Sequence, residues 1–129
     1  VSFLDTGGRY DPVLDRWLPT SATDAPESRN SHAGVWTGQR MVVWGGYDPS
    51  WNFRDTGGRY DPSTDTWEPT STTGAPEPRV GHSMTWTGDR AVVWGGDESP
   101  GFQVHSASPL GGSSRLLRLA ISSSSSTSS

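Results

Sequence analysis

The most strand-like hydrophobic run in the chain is Met-Val-Val-Trp at residues 41–44, followed directly by Gly45 and Gly46. β-Branched and aromatic residues favour strands. A glycine pair ends a strand where the backbone takes a positive φ or where another element lies close. The run returns as Ala-Val-Val-Trp at residues 91–94, again followed by two glycines. The pattern predicts two short strands at equivalent places in a repeat.

The repeat extends well beyond these two strands. When residues 5–46 are placed on residues 55–96, an offset of 50, 28 of the 42 positions are identical and no gap is needed. Such self-similarity is typical of repeat architectures. The identical positions to which we assign a structural role are Tyr10 and Tyr60, Trp17 and Trp67, His32 and His82, Trp36 and Trp86, Trp44 and Trp94, Gly45 and Gly95, and Gly46 and Gly96.

Turn residues divide one period into four predicted strands. A Thr-Gly-Gln turn separates the first two, which predicts an antiparallel hairpin, and Asp61-Pro62 favours a turn between the last two. The segment 69–78 is rich in proline and predicts an exposed crossing. The predicted strands are His32–Trp36, Met41–Trp44, a third around Gly58–Tyr60 and a fourth around Thr66–Glu68. Four short strands and one crossing per period describe a propeller blade.

A strand ending in Gly45-Gly46, then the turn Tyr60-Asp61-Pro62, then Trp67 resembles the kelch repeat, whose period is about 50 residues. The resemblance spans about residues 3–96. It implies an all-β fold, a partial kelch-type β-propeller built from antiparallel four-stranded blades. The implied division is outer strands of a first blade in 1–28, a complete blade in 29–78, inner strands of a further blade in 79–96, and a non-repeat tail in 97–129.

These residues supply about two blades of strands, whereas propellers close with about 4–8. Repeat proteins bury a continuous core only when roughly three or more units stack. We therefore expect a fragment of a longer propeller, or copies of the chain that associate to complete one. The pattern does not continue after Gly96, since residues 105–112 do not reproduce Asp-Thr-Gly-Gly-Arg-Tyr-Asp-Pro. The serine-rich end, 122–129, is of low complexity and predicts disorder.

Composition excludes several classes of function. A net charge of -4 and the absence of lysine argue against nucleic-acid binding, which favours a basic surface. The chain has no cysteine, and therefore no disulfide, thiolate nucleophile or cysteine-ligated zinc. No apolar run approaches the roughly 20 residues of a membrane helix, so no membrane association is expected. With 16 Gly, 10 Pro and 7 Trp, the composition favours short strands joined by tight turns around large aromatic side chains. The tryptophans that recur at fixed points of the period are expected to pack in the core, and these are Trp17, Trp36, Trp44, Trp67, Trp86 and Trp94.

Asp-Thr-Gly occurs at residues 5–7 and 55–57 and matches the signature of aspartic proteases, which need two carboxylates sharing one proton. Each copy, however, sits at a fixed place in the repeat and is followed by glycine, where those proteases place Ser, Thr or Ala. The alternative is structural: Asp55 and Thr56 lead the third strand, and the glycines after them let it pack closely. We favour that interpretation, because three-residue motifs often match by chance.

His32 and His82 could ligate a metal, but no carboxylate or second histidine lies at ligand spacing, so we expect no metal and no cofactor. Asp61, Asp65 and Trp67 faintly resemble the Asp-box of sialidases, without its required glycine. Galactose oxidase also carries kelch repeats, yet its copper site requires a cysteine that this chain lacks. We therefore expect no catalytic residues and no enzyme activity.

The long loop between the second and third strands is the candidate binding site. Loops gather on one face of a propeller, and exposed aromatic and arginine side chains there make contact surfaces. A competing interpretation tucks Trp51 and Phe53 under the blade edge. The candidate residues are Tyr47, Trp51, Asn52, Phe53 and Arg54.

The sequence favours a non-catalytic kelch-repeat scaffold that binds a protein, or a glycan, through such loops. One alternative is part of a propeller-based enzyme whose catalytic residues lie outside this chain. Another is a repeat module that self-assembles into a closed propeller as a homo-oligomer. No compartment can be assigned from these residues.

Overall fold

The computed structural model describes residues 2–98, and within that range every regular element is a β-strand. The chain divides into two units between Asp97 and Glu98, and all contacts described below lie within the first. The strands are β1 (Gly8–Asp11), β2 (Arg16–Pro19), β3 (Ala33–Trp36), β4 (Met41–Trp44), β5 (Gly57–Asp61), β6 (Thr66–Pro69), β7 (Arg79–Val80), β8 (Ser83–Trp86), β9 (Ala91–Trp94) and β10 (Asp97–Glu98).

A four-stranded sheet in the order β3-β4-β5-β6 lies at the centre, and every neighbouring pair in it is antiparallel. Glycine allows β5 to lie close against β4, since a Cβ on Gly57 would overlap the carbonyl oxygen of Val43. The prediction of an all-β fold with an antiparallel four-stranded blade is confirmed. We call this sheet the complete blade.

Two hairpins repeat halves of the complete blade with the same register. β1 pairs with β2 so that Tyr10 lies opposite Trp17, as Tyr60 lies opposite Trp67 in β5 and β6. β8 pairs with β9 so that Ser83 lies opposite Trp94, as Ala33 lies opposite Trp44. We call β1–β2 the outer hairpin and β8–β9 the inner hairpin.

The backbone repeats as closely as the strand pairing does. Every described residue with positive φ except Trp51 has a counterpart 50 residues away that also has positive φ, although only three of the six pairs are glycine in both copies. The pairs are Asp15 and Asp65, Asp24 and Gly74, Ser31 and Gly81, Gly38 and Gly88, Gly45 and Gly95, and Gly46 and Gly96. Non-glycine residues seldom adopt this conformation, so the repeated fold holds it in place.

The complete blade packs against both hairpins. The ring of His82, just before the inner hairpin, lies edge-on to Trp44 at 5.3 Å between ring centroids. On the other side, Ser21, just after the outer hairpin, donates its N–H to Asp65 Oδ1 at 2.8 Å and accepts from Trp67 Nε1 at 3.0 Å. Side-chain and backbone contacts therefore join the complete blade to both hairpins.

Burial is concentrated in the complete blade. Trp44 and Tyr60, at 5% and 3% exposed, are the buried hydrophobic residues of the described range. Trp67 and Trp86 are half-buried. The core position predicted for three other tryptophans is wrong for this chain, since Trp17, Trp36 and Trp94 are 69%, 52% and 77% exposed. For Trp17 and Trp94 the reason is that the described residues supply no further unit to cover the open side of either hairpin.

Several predictions lie outside the described range or stay predictions. The expected break after Gly96 and the disordered serine-rich end fall almost entirely on residues 99–129, beyond the part described here. The division into blades at 28, 78 and 96 stays a prediction. No helix in residues 2–98 is both long enough and apolar enough to cross a membrane.

Candidate functional site

The loop between β4 and β5 begins at Gly45 and Gly46, whose φ values are +80° and +87°. Neither position has room for a side chain: a Cβ on Gly45 would overlap the His82 ring, and one on Gly46 would overlap the carbonyl oxygen of Asn30. The Gly45 N–H donates to Thr56 O at 3.1 Å, and the Gly46 N–H donates to Arg79 O at 2.9 Å. The base of the loop is therefore fixed by close packing on both sides.

Asp48 organises the loop from within. Its buried carboxylate accepts the N–H groups of Ser50 at 2.8 Å and Asn52 at 3.0 Å on Oδ1. On Oδ2 it accepts the Asn52 side-chain amide at 3.1 Å. These hydrogen bonds, the Asn52 N–H first among them, hold the pKa of the Asp48 carboxyl below its usual value. Asp48 is thus an ionised anchor at neutral pH.

Arg54 closes the loop against the preceding crossing. Its Nη2 lies 2.7 Å from Asp48 Oδ2, and its Nε forms an ion pair with Glu27. Its backbone N–H donates to Gly46 O at 2.8 Å. The guanidinium, predicted as a contact for a partner, therefore already bridges two carboxylates of its own chain.

Trp51 stands at the tip of the loop. It is 66% exposed and has a φ of +66°, a conformation that side chains other than glycine seldom adopt. Its N–H donates to Asp48 O at 2.9 Å, and its ring stacks on Tyr47 with centroids 5.0 Å apart and planes 10° apart. The turn around Asp48 imposes this backbone conformation and holds the ring out to solvent.

Tyr47 lies at the centre of an aromatic cluster. Two backbone hydrogen bonds of 3.0 Å tie Tyr47 to Asn30. Phe53 lies 6.1 Å from the Tyr47 ring, and Phe3 meets it edge-on at 5.5 Å. We call Phe3, Tyr47, Trp51 and Phe53 the aromatic cluster. The adjoining Leu4 is also exposed.

The loop divides the predicted binding residues into two groups. Tyr47, Trp51 and Phe53 come together in the aromatic cluster. The polar groups of Asn52 and Arg54 are bound to Asp48 instead. Sequence reasoning missed Phe3, Asp48 and Glu27. The signal for Phe3 was available, because it aligns with Phe53 at the repeat offset of 50 and so belongs to a neighbouring loop of the same kind.

The second Asp-Thr-Gly motif has a structural role, which it fulfils through two backbone carbonyl groups and the Thr56 hydroxyl. Asp55 O accepts from Trp44 Nε1 at 3.0 Å. Thr56 O accepts from Arg29 Nη1 at 2.7 Å, and Thr56 Oγ1 accepts from Arg29 Nη2 at 3.2 Å. These contacts fasten the start of β5 to the end of β4.

His82 is held in one tautomer by its surroundings. Its Nε2 lies 3.1 Å from the carbonyl oxygen of Trp44, which can only accept, so Nε2 carries the proton. Nδ1 is buried and makes no hydrogen bond. Burial is the main cause that lowers the pKa of His82. Within residues 2–98, no three His, Asp or Glu side chains gather closely enough to hold a metal ion.

A known family matches most of the chain. The model of a family described as the KLHDC2/KLHL20/DRC7 Kelch-repeats domain matches residues 10–114. Among curated proteins, no sequence matches this chain.

Proposed function

This chain belongs to the KLHDC2/KLHL20/DRC7 Kelch-repeats domain family, and from that premise we propose that it binds a protein partner through the aromatic cluster. Kelch-repeat domains generally serve as scaffolds for protein–protein interaction and are typically not enzymes. The finer proposal concerns where this scaffold makes contact: the loop between β4 and β5, with Trp51 as the central side chain and no catalytic step.

The observation that carries the proposal is the exposure of Trp51 on a fixed backbone. Tryptophan is among the residues most enriched at the energetic centres of protein interfaces, because its large ring buries much apolar area in a pocket. A ring that is already held in place loses less conformational entropy on binding. Trp51 meets both conditions, since it is 66% exposed while Asp48 and Tyr47 fix its position.

The charges around the aromatic cluster favour contact with apolar or aromatic groups of a partner. The carboxylates of Asp48 and Glu27 are paired with the guanidinium of Arg54. These two carboxylates and one guanidinium leave a single excess negative charge, so a partner that covers the loop meets a weakly charged base from which apolar rings project. An apolar or aromatic protein segment fits such a surface better than a strongly charged ligand.

A glycan is the second candidate ligand. One face of the Trp51 ring stacks on Tyr47, and the apolar face of a sugar ring can lie on the other face of this exposed ring. The experiment below separates the two classes, because sugars and proteins are presented separately.

The test compares the intact chain with Trp51→Ala and with Trp36→Ala, a control that removes a half-exposed tryptophan from β3 outside the loop. The three proteins are used in quantitative affinity capture from cell extract and on a glycan array. We expect Trp51→Ala to lower the affinity for the specific protein ligand by about 30-fold, equivalent to about 2 kcal/mol, and Trp36→Ala to leave that affinity unchanged.

Stability is measured in parallel. Trp51→Ala should change the free energy of unfolding by less than about 0.5–1 kcal/mol, since the side chain is mostly in solvent. A ligand that Trp51→Ala binds as tightly as the intact chain would show that the contact surface is elsewhere. Loss of glycan binding alone would assign the cluster to sugars instead of proteins.

A further inference from the structure

Two strands of equal sequence have unequal neighbours. β4 and β9 share Val-Val-Trp-Gly-Gly, but β4 pairs with β5 on its outer side, whereas β9 pairs only with β8 among the described strands. Along its outer edge, each of the four residues of β4 lies opposite a residue of β5, from Met41 opposite Tyr60 to Trp44 opposite Gly57. Among residues 2–98, nothing pairs with the equivalent side of β9, which is an open strand edge there. Such edges are ready templates for pairing with another strand.

The strand that fits this edge is present elsewhere in the chain. Residues 5–12 read Asp-Thr-Gly-Gly-Arg-Tyr-Asp-Pro, identical to residues 55–62 that contain β5. Their strand, β1, pairs with β2 on one side and, within the described range, with nothing on the side that β5 gives to β4. Within residues 2–98 there is therefore one open edge of each kind, and the two sequences concerned pair with each other in the complete blade.

We propose that β9 of one copy pairs with β1 of a second copy in the register of β4 and β5. The inner hairpin of one copy and the outer hairpin of the next then form one four-stranded blade. The register follows from the complete blade by the offset of 50. It places Ala91 opposite Tyr10, Val92 opposite Arg9, Val93 opposite Gly8, and Trp94 opposite Gly7.

The side chains that fasten β4 to β5 are already in position on the inner hairpin. Arg29 donates to Glu27 O at 3.1 Å and to Gly45 O at 3.0 Å. In this side-chain conformation it also donates to Thr56 O. Arg79 makes the same two bonds, to Glu77 O at 3.1 Å and Gly95 O at 3.1 Å. In the proposed pairing, Thr6 of the second copy takes the place of Thr56. Trp94 Nε1 correspondingly meets Asp5 O of that copy.

An open space beside Gly95 matches a second feature of the joined copy. A Cβ on Gly45 would overlap the His82 ring, whereas a Cβ on Gly95 would meet nothing within 4 Å. His32 is the equivalent of His82 and is exposed in the single chain. Once the strands pair, His32 of the second copy lies where it can fill that space and cover Trp94, as His82 covers Trp44.

A second copy is favoured over the chain's own end on sequence grounds. Residues 97–129 contain no further Asp-Thr-Gly-Gly-Arg-Tyr, and residues 105–112 read His-Ser-Ala-Ser-Pro-Leu-Gly-Gly. Association would also cover exposed aromatic area at Trp94, Trp17 and Tyr10. The contact is head-to-tail, so it forms a closed ring when the rotation between copies closes. With two blades per copy, rings of about 4–8 blades hold about 2–4 copies.

The first test uses Gly7, where the proposed strand makes its closest approach. At the equivalent Gly57 an added side chain would overlap the carbonyl oxygen of Val43, so Gly7→Val should prevent pairing. Within its own chain, a Cβ on Gly7 meets only the Thr20 side chain, at 3.5 Å, so the fold should be retained. The control is Gly34→Val, at a position where the other repeat carries Met84.

Sedimentation over a range of concentrations gives the mass of each protein. We expect the intact chain and Gly34→Val to form a discrete species of two to four copies, and Gly7→Val to be a monomer with unchanged circular dichroism. A monomeric intact chain would contradict the proposal. An oligomer that Gly7→Val leaves intact would contradict it as well.

The second test reports the register directly, because the chain has no native cysteine. Chains carrying Val92→Cys are mixed with chains carrying Arg9→Cys and oxidised. We expect a disulfide between the two kinds of chain, and at least about tenfold less when Val93→Cys replaces Val92→Cys, since successive residues point to opposite faces of a sheet. Equal yields from both mixtures would overturn the proposed pairing.

Discussion

The complete blade and the inner hairpin contain nearly the same strand sequence in two different surroundings. Trp44 and Trp94 end equivalent strands, face equivalent partners in β3 and β8, and precede glycine pairs with similar φ values. Yet Trp44 is 5% exposed and Trp94 is 77% exposed. The difference shows that the repeat itself determines the backbone, whereas burial depends on which units stand on either side.

The outer hairpin gives the same lesson for tyrosine. Tyr10 and Tyr60 donate to Asp15 and Asp65, each at 2.5 Å. Tyr60 is 3% exposed and Tyr10 is 47% exposed. Burial, together with the hydrogen bond to Asp65, raises the pKa of Tyr60 to about 12, whereas the hydrogen bond to Asp15 is the main cause that raises the pKa of Tyr10. The hydrogen bond between tyrosine and aspartate is therefore the same in both copies of the repeat, whereas the burial of the tyrosine ring differs.

The largest expected difference between the two copies is at tryptophan. In dilute solution, Trp44→Ala should lower the free energy of unfolding by about 3–5 kcal/mol, because it removes a buried ring. Trp94→Ala should lower it by less than about 1 kcal/mol, because that ring is mostly in solvent. Denaturant unfolding of both variants measures the two losses in the free energy of unfolding. Equal losses would mean that the two sites have equivalent surroundings after all.

A smaller difference is expected at arginine. Arg29 is buried and bonds to Gly45 and Thr56, whereas Arg79 is less buried and reaches Gly95 but has no equivalent of Thr56 within the described range. Arg29→Ala leaves carbonyl acceptors buried without a donor and should cost about 2–3 kcal/mol.

Arg79→Ala is the matched control, and it should cost less than about 1 kcal/mol in the monomer. Thermal or urea unfolding of the two variants provides the measurement. A cost for Arg79→Ala as large as that for Arg29→Ala would show that the inner hairpin is already complete.

The smallest expected difference is in pH dependence and concerns His82. Its pKa is lowered first by burial and then by the charges of Arg79 and His32, while the hydrogen bond to Trp44 opposes the shift. The unfolded chain therefore binds a proton more readily than the folded chain does. The contribution of neutral His82 to the stability of the folded chain is therefore complete above about pH 6.5, which is the pKa of histidine in the unfolded chain. This contribution is lost as the pH falls below that value.

Unfolding free energies measured between about pH 7 and pH 5 check this expectation. Stability should fall by up to about 1.4 kcal/mol per pH unit in that window, and His82→Gln should flatten the profile. The pKa of His32 is lowered in the same direction, first by burial and then by the charge of Arg29, so His32→Gln should also flatten the profile and the double variant should flatten it further. A profile that His82→Gln leaves unchanged would assign the titration to another group.

The repeat made most of the fold predictable from sequence. Short runs of β-branched and aromatic residues, separated by Gly, Asp and Pro turns, predicted the four strands of the complete blade to within one or two residues. The burial of tryptophan was not predictable in the same way. Trp17 and Trp94 match buried or half-buried counterparts in the other copy, and only the structure shows that no other residues in 2–98 cover their outer sides.

The candidate site was predictable in part. Tyr47, Trp51 and Phe53 stood out as aromatic residues in a long loop, and they do lie together. Asn52 and Arg54 looked equally available in sequence, but the buried carboxylate of Asp48 binds both. The repeat offset assigns Phe3 to a neighbouring loop of the same kind, but only the structure shows that the Phe3 ring reaches Tyr47.

Fluorine NMR of the chain labelled with 5-fluorotryptophan tests most directly whether burial depends on the neighbouring unit. Trp44→Phe and Trp94→Phe variants assign the two signals, and the shift between H₂O and D₂O reports exposure of each ring. We predict that in dilute solution the Trp94 signal shifts and the Trp44 signal does not, and that Trp94 loses its shift as copies associate. Equal shifts for both rings in the dilute monomer would contradict the account.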